Sequence, residues 1–128
     1  MSILRLSFVL AVLEGLIGAG RTVLSLFVGQ PFWVDWTRPM ATTLHLLALT
    51  IGTWGLLAVP DRAPRQRRVL AASALLLLLL AAIPVMWQQV SSGQTPSILV
   101  LGLALVALHW LVAVLLHALL WGPDDETR

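Results

Sequence analysis

Apolar residues run almost unbroken through four stretches of this chain, and the few polar residues inside them recur at helical intervals. The stretches are Leu4–Gly29, Met40–Val59, Val69–Trp87 and Ser97–Trp121. Each is close to the roughly 20 residues that carry a helix across a bilayer core. The pattern predicts an all-α integral membrane protein, a four-transmembrane-helix bundle. Little chain is left over for anything else, so residues 1–128 read as one membrane domain.

The first stretch is the informative one, because "LAVLEGLIGAGRTVLSLF" carries a glutamate and an arginine in its middle. At about 100° per residue, Ser7, Ala11, Glu14, Gly15, Gly18, Arg21, Thr22, Ser25 and Gly29 fall on one side of the helix. Leu6, Val9, Leu13, Leu16, Ile17, Leu24 and Phe27 fall on the other. The first side also holds the small-residue strip Ala11-x3-Gly15-x3-Ala19, with Gly18 beside it, of the kind that lets helices approach closely. On the second stretch His45 shares a face with Ala41, Ala48, Gly52 and Gly55, again small. An unpaired charge at mid-membrane costs at least about 2.5–3.5 kcal/mol. Glu14 and Arg21 are therefore expected to face protein and to find partners there.

Depth along the helices narrows the choice of partners. At about 1.5 Å per residue, Arg21 and His45 reach a similar level, and Glu14 and His109 lie deeper, within about one turn of each other. These four residues are expected to form one intramembrane polar cluster. His117 falls near the opposite interface.

Charge then sets an orientation. The segment Pro60–Arg68, "PDRAPRQRR", holds Arg62, Arg65, Arg67 and Arg68. An arginine excess in a short loop marks the cytoplasmic side and makes these residues topology determinants with access to lipid headgroups. Four spans then put both termini in the cytoplasm, N-in and C-in, in the cell membrane. Phe32, Trp33, Trp36 and Trp87 are expected at the outer interface and Trp121 at the inner one. Pro84 falls inside the third span, where it removes one backbone bond and predicts a kink. The net charge of +2 sits mostly in the arginine segment, which argues for topology rather than for nucleic acid.

Composition removes several chemistries. The chain has no cysteine, and its eight basic residues are all arginine, so thiolate sites, disulfides and Schiff-base lysines are excluded. No HExxH, Walker or GxGxxG pattern occurs, and no enzyme is expected. No cofactor is required by the pattern. Haem or chlorin is the one group the histidines bring to mind, with His45, His109 and His117 as the candidate ligands. The spacing in "AVLLHALLW" (Ala113–Trp121) resembles that of light-harvesting antenna helices, which implies a chlorin on His117. "AVLEGLIG" in a four-span chain of this length resembles the small multidrug resistance exporters, which implies transport. The third span lacks the tryptophan–glycine signature of those exporters.

Two functional expectations follow. In the first, the protein is a non-enzymatic accessory subunit. The small, polar faces of its first two spans, around Ala11, Gly15, Gly18, Ala19, Gly52 and Gly55, would be buried in a homo-oligomer or against other membrane subunits. In the second, it is a proton-coupled small transporter or channel with Glu14 as the titrating group.

Overall fold

The computed structural model describes residues 3–29, 35–57 and 64–121. They form four α-helices: α1 (Ile3–Phe27), α2 (Thr37–Leu57), α3 (Pro64–Ser91) and α4 (Ile98–Trp121). All four are long and apolar enough to cross a membrane. α1 packs along α2, α2 along α3, and α3 along α4, with lighter contact from α1 to α3 and α4. Helix α4 leans mainly on α3.

Successive helices run in opposite directions, which gives the bundle two distinct ends. One end gathers the C-termini of α1 and α3 with the N-termini of α2 and α4. It is called here the glutamine end, after Gln88, Gln89 and Gln94. The other, the arginine end, holds the first turns of α1 and α3.

Local chemistry explains where the helices stop. Gly29 (φ 83°) follows α1, and its N–H donates to the Leu26 carbonyl at 3.1 Å. After α3, Gly93 (φ 79°) donates to the Val90 carbonyl and Gln94 to the Gln89 carbonyl, the paired bonds of a Schellman cap. The Asp35 carboxylate receives the Thr37 N–H at 2.9 Å and caps α2. The Ser97 hydroxyl oxygen accepts the Val100 N–H at 3.2 Å and caps α4. Proline is tolerated at the first position of a helix, where its missing N–H would have no partner, and Pro64 opens α3.

Helix α3 differs from the apolar stretch that announces it. It begins at Pro64, so Arg65, Arg67 and Arg68 stand on helical turns, and it continues through Pro84 to Ser91. Hydropathy marks where a helix meets lipid, and the backbone hydrogen bonds continue past that boundary at both ends. Pro84 itself is buried.

The core is concentrated toward the arginine end. Leu4, Phe8 and Ala11 of α1 meet Ala48 of α2, then Ala71, Ala74, Leu75 and Leu78 of α3, and Ala107 and Val114 of α4. The α1–α2 contact is the tightest. A Cβ on Gly52 would stand 2.9 Å from the Phe8 carbonyl oxygen, and one on Gly15 would stand 2.9 Å from that of His45. Gly55 leaves room for the Phe8 ring. Backbones this close require glycine. The small faces expected to seek a partner thus meet each other inside one chain. Ala19, by contrast, is only partly buried and lies past the tight contact.

Candidate functional site

The polar residues of α1 divide between the two halves of the bundle. Ser7 sits in the packed half, its hydroxyl donating to the Ile3 carbonyl at 2.8 Å, so the helix satisfies it internally. Glu14 lies at the upper edge of the core, 5% exposed. Arg21, two turns further on, is exposed.

Above Glu14 the helices enclose a cavity of about 500 Å³ toward the glutamine end. Helix α1 contributes Gly18, Arg21, Thr22 and Ser25, and α2 contributes Ala41 and His45, with Arg38 and Asp35 at its start. Helix α3 contributes Val85, Gln88 and Gln89, followed by Ser92 and Gln94. Asp35, Ser92 and Gln94 are exposed, so the cavity opens at that end. A smaller space of about 30 Å³ adjoins it, sharing Gly18, Arg21, His45 and Val85 and reaching Glu14. Its other walls are Leu78 and Ala82 of α3 and Val100, Leu103 and Ala104 of α4. That volume holds one or two waters.

Glu14, Arg21 and His45 are therefore brought together, as their depth and helical phase predict. His45 fits because Gly18 has no side chain: the imidazole occupies the space a Cβ would take. Across the same interface the Thr22 and Thr42 hydroxyls are hydrogen-bonded at 2.8 Å. The expected pairing of the charges is absent. No carboxylate of a described residue forms an ion pair with Arg21, and Glu14 Oε2 is buried without a hydrogen-bond partner. Arg21 meets the open cavity instead of a counter-ion, which is how its charge stays hydrated.

His109 does not join the cluster. The buried residues of α4 are Val100, Ala107 and Val114, seven apart on one face. His109 is about 200° round the helix from Ala107 and is exposed, its ring edge-on to Trp110 at 6.1 Å. Its estimated depth agrees with that of Glu14, but its face does not. His117 lies near the arginine end of α4, partly buried. The three histidines thus occupy separate places, and no two of them face a common ligand position. Among the described residues no group of three or more metal-ligating side chains is found.

Several lining residues were not anticipated. Gln88, Gln89, Ser92 and Gln94 belong to a stretch read as loop, but α3 extends one turn past Trp87 and carries the first two glutamines on its inner face. The signal was present in "WQQVSSGQ", where polar residues continue at helical spacing before the first glycine. Asp35 and Arg38 enter through the α2 cap. The Asp35 carboxyl is held below the ordinary aspartate value, chiefly by hydrogen bonds from the Thr37 hydroxyl and N–H.

Comparison with protein-family models, with curated proteins and with solved structures finds no match for this chain. Its function therefore has to be argued from the site alone.

Of the interfacial aromatics, Trp36 and Trp87 sit together at the glutamine end, ring centroids 6.5 Å apart, both more than half exposed. Phe32, Trp33 and Arg62 lie outside the described residues, as does the Trp121 side chain. At the other end Arg65 is exposed and Arg68 is buried at the first turns of α3.

Proposed function

We propose that this chain is a small non-enzymatic membrane protein that admits a polar solute to a buried carboxyl group and moves it in company with protons. The observation that carries this reading is Glu14. It is buried, unpartnered at Oε2, and placed where a wide polar cavity narrows to its end. A carboxyl group in that position costs folding energy, because a buried polar atom without a partner loses its hydration. Intramembrane ionisable groups of this kind mark ion and proton pathways.

The arginine end is assigned to the cytoplasm, since Arg5, Arg62, Arg65, Arg67, Arg68 and Arg128 all belong to it or to segments joined to it. Both termini are then cytoplasmic, and the cavity opens on the outer face of the membrane. Below Glu14 the buried core closes the route, so passage requires the α1–α2 contact around Phe8 and Gly55 to loosen. That contact is the natural gate.

The accessory-subunit reading takes second place. Its premise was that the small faces of α1 and α2 need an outside partner, and those faces are buried against each other within the monomer. Co-purification of other subunits with the protein in mild detergent would restore it.

The direct test is proton flux into liposomes containing the purified protein and an internal pH dye. Wild type is expected to acidify or alkalinise the lumen when a transported solute gradient is imposed. Glu14→Gln is expected to abolish that coupled flux while eluting at the same size and keeping the same helicity. Undiminished flux in Glu14→Gln would overturn the assignment of Glu14.

A further inference from the structure

The cavity above Glu14 has a chemical bias that points to its occupant. This inference rests on the reading of the cavity as a solute site and names the class of solute. Three formal charges line the main cavity: Arg21, Arg38 and Asp35, with His45 alongside and Glu14 about two turns below Arg21. Asp35 is not available to a cation. Its carboxylate accepts from the Thr37 N–H and hydroxyl, and the Arg38 backbone and charge also face it. Asp35 and Arg38 therefore offset each other at the α2 cap, and Arg21 is the charge left facing the cavity.

The neutral groups lean the same way. The Ser25 hydroxyl donates to the Thr22 carbonyl, and the Ser92 hydroxyl to the Gln88 carbonyl, both at 2.7 Å. The Gln89 carbonyl oxygen, Oε1, is occupied by the Ser97 N–H at 3.0 Å. What Gln89 retains is its NH2 group, a donor only. A guanidinium and an anchored amide NH2 in one cavity form a donor set for an oxyanion. The guanidinium fork matches a carboxylate in particular, with two parallel N–H···O bonds.

Size separates an organic from an inorganic anion. A cavity of about 500 Å³ is in the range of small-molecule sites and far exceeds a nitrate or phosphate ion. Val85, Ala41 and Gly18 give it an apolar wall beside Arg21. We propose that this cavity is a binding site for a small organic monocarboxylate, its carboxylate on Arg21 and the Gln89 amide, its apolar part against Val85 and Ala41.

The test is equilibrium binding of radiolabelled benzoate to the full chain in lipid nanodiscs, with empty nanodiscs as background. Benzamide, tetraethylammonium and nitrate serve as neutral, cationic and inorganic competitors. Saturable benzoate binding is expected, displaced poorly by all three. Arg21→Gln is expected to weaken it at least about tenfold, Arg21→Lys by less, since charge survives without the fork. Gln89→Leu is expected to weaken it several-fold, and Arg65→Gln, at the opposite end, to leave it unchanged. Variants are compared only where size and helicity match wild type.

Unaltered binding in both Arg21→Gln and Gln89→Leu would overturn the proposal, as would tetraethylammonium or nitrate displacing benzoate at equal or lower concentration. Absence of saturable benzoate binding in a protein that still shows Glu14-dependent proton flux would refute the anion and keep the transport reading. Arginine-dependent benzoate binding without any flux would support the site and remove transport.

Discussion

The two halves of this bundle are built from the same four helices and differ in what the helices place between them. Toward the arginine end the facing residues are glycine, alanine, leucine and one phenylalanine, and the backbones of α1 and α2 approach within side-chain-excluding distance. Toward the glutamine end the facing residues are Arg21, His45, Gln88 and Gln89, whose polar ends require water or a ligand, and a cavity results. Glu14 stands at the boundary. In a membrane, apolar side chains gain little by leaving lipid for protein, so close packing of small residues supplies much of the association energy. The packed half is therefore expected to hold the fold, and the open half to be free for binding.

Paired glycine substitutions test that division most severely. At Gly52 a Cβ meets the Phe8 carbonyl at 2.9 Å and the Ala11 side chain at 3.0 Å, and the backbone oxygen cannot rotate away. Gly52→Ala is expected to lose about 2 kcal/mol, within the usual range for overpacking. At Gly20, in the other half, no atom lies within 4 Å of the same position. Gly20→Ala is expected to gain about 0.5–1 kcal/mol from helix propensity alone. Reversible unfolding in mixed detergent micelles measures both, and equal losses at the two sites would erase the distinction between the halves.

A smaller effect concerns the cap at the open end. The Asp35 carboxyl is held below its ordinary value mainly by the Thr37 hydrogen bonds, so the folded protein favours the ionised form. That contribution is complete at pH above the ordinary aspartate value, about 4. It is lost as pH falls through the folded value. Asp35→Ala is thus expected to lower Tm slightly at neutral pH and to converge on wild type in acid. A Tm difference that persists unchanged at low pH would remove Asp35 as a charged cap.

Much of this was legible in the sequence, for reasons that differ by element. The four helices follow from apolar stretches of span length. The inward face of α1 follows from polar and small residues at helical spacing, and it places Glu14 and Arg21 correctly on the protein side. The match of His45 to Arg21 follows from depth alone. His109 was misplaced because α4 is apolar all round, so its pattern carries length without phase. Only the packing of Val100, Ala107 and Val114 against the bundle fixes that rotation. The missing ion pair has a similar origin: pairing was inferred from the cost of a charge in lipid, and a cavity that keeps Arg21 hydrated removes that cost. The glutamines were missed because hydropathy ends a span one turn before the helix ends.

The central claim is that water reaches one half of the bundle as far as Glu14 and is excluded from the other. The chain has no cysteine, so single cysteines can be introduced without background. Ser25→Cys and Ala41→Cys report on the open half, and Ser7→Cys and Ala74→Cys on the packed half. The measurement is their rate of modification by a charged, water-soluble thiosulfonate reagent supplied from both sides of a lipid nanodisc. Rapid modification of the first pair and protection of the second is the predicted result. Comparable rates in both halves, or faster reaction at Ser7→Cys than at Ser25→Cys, would contradict it.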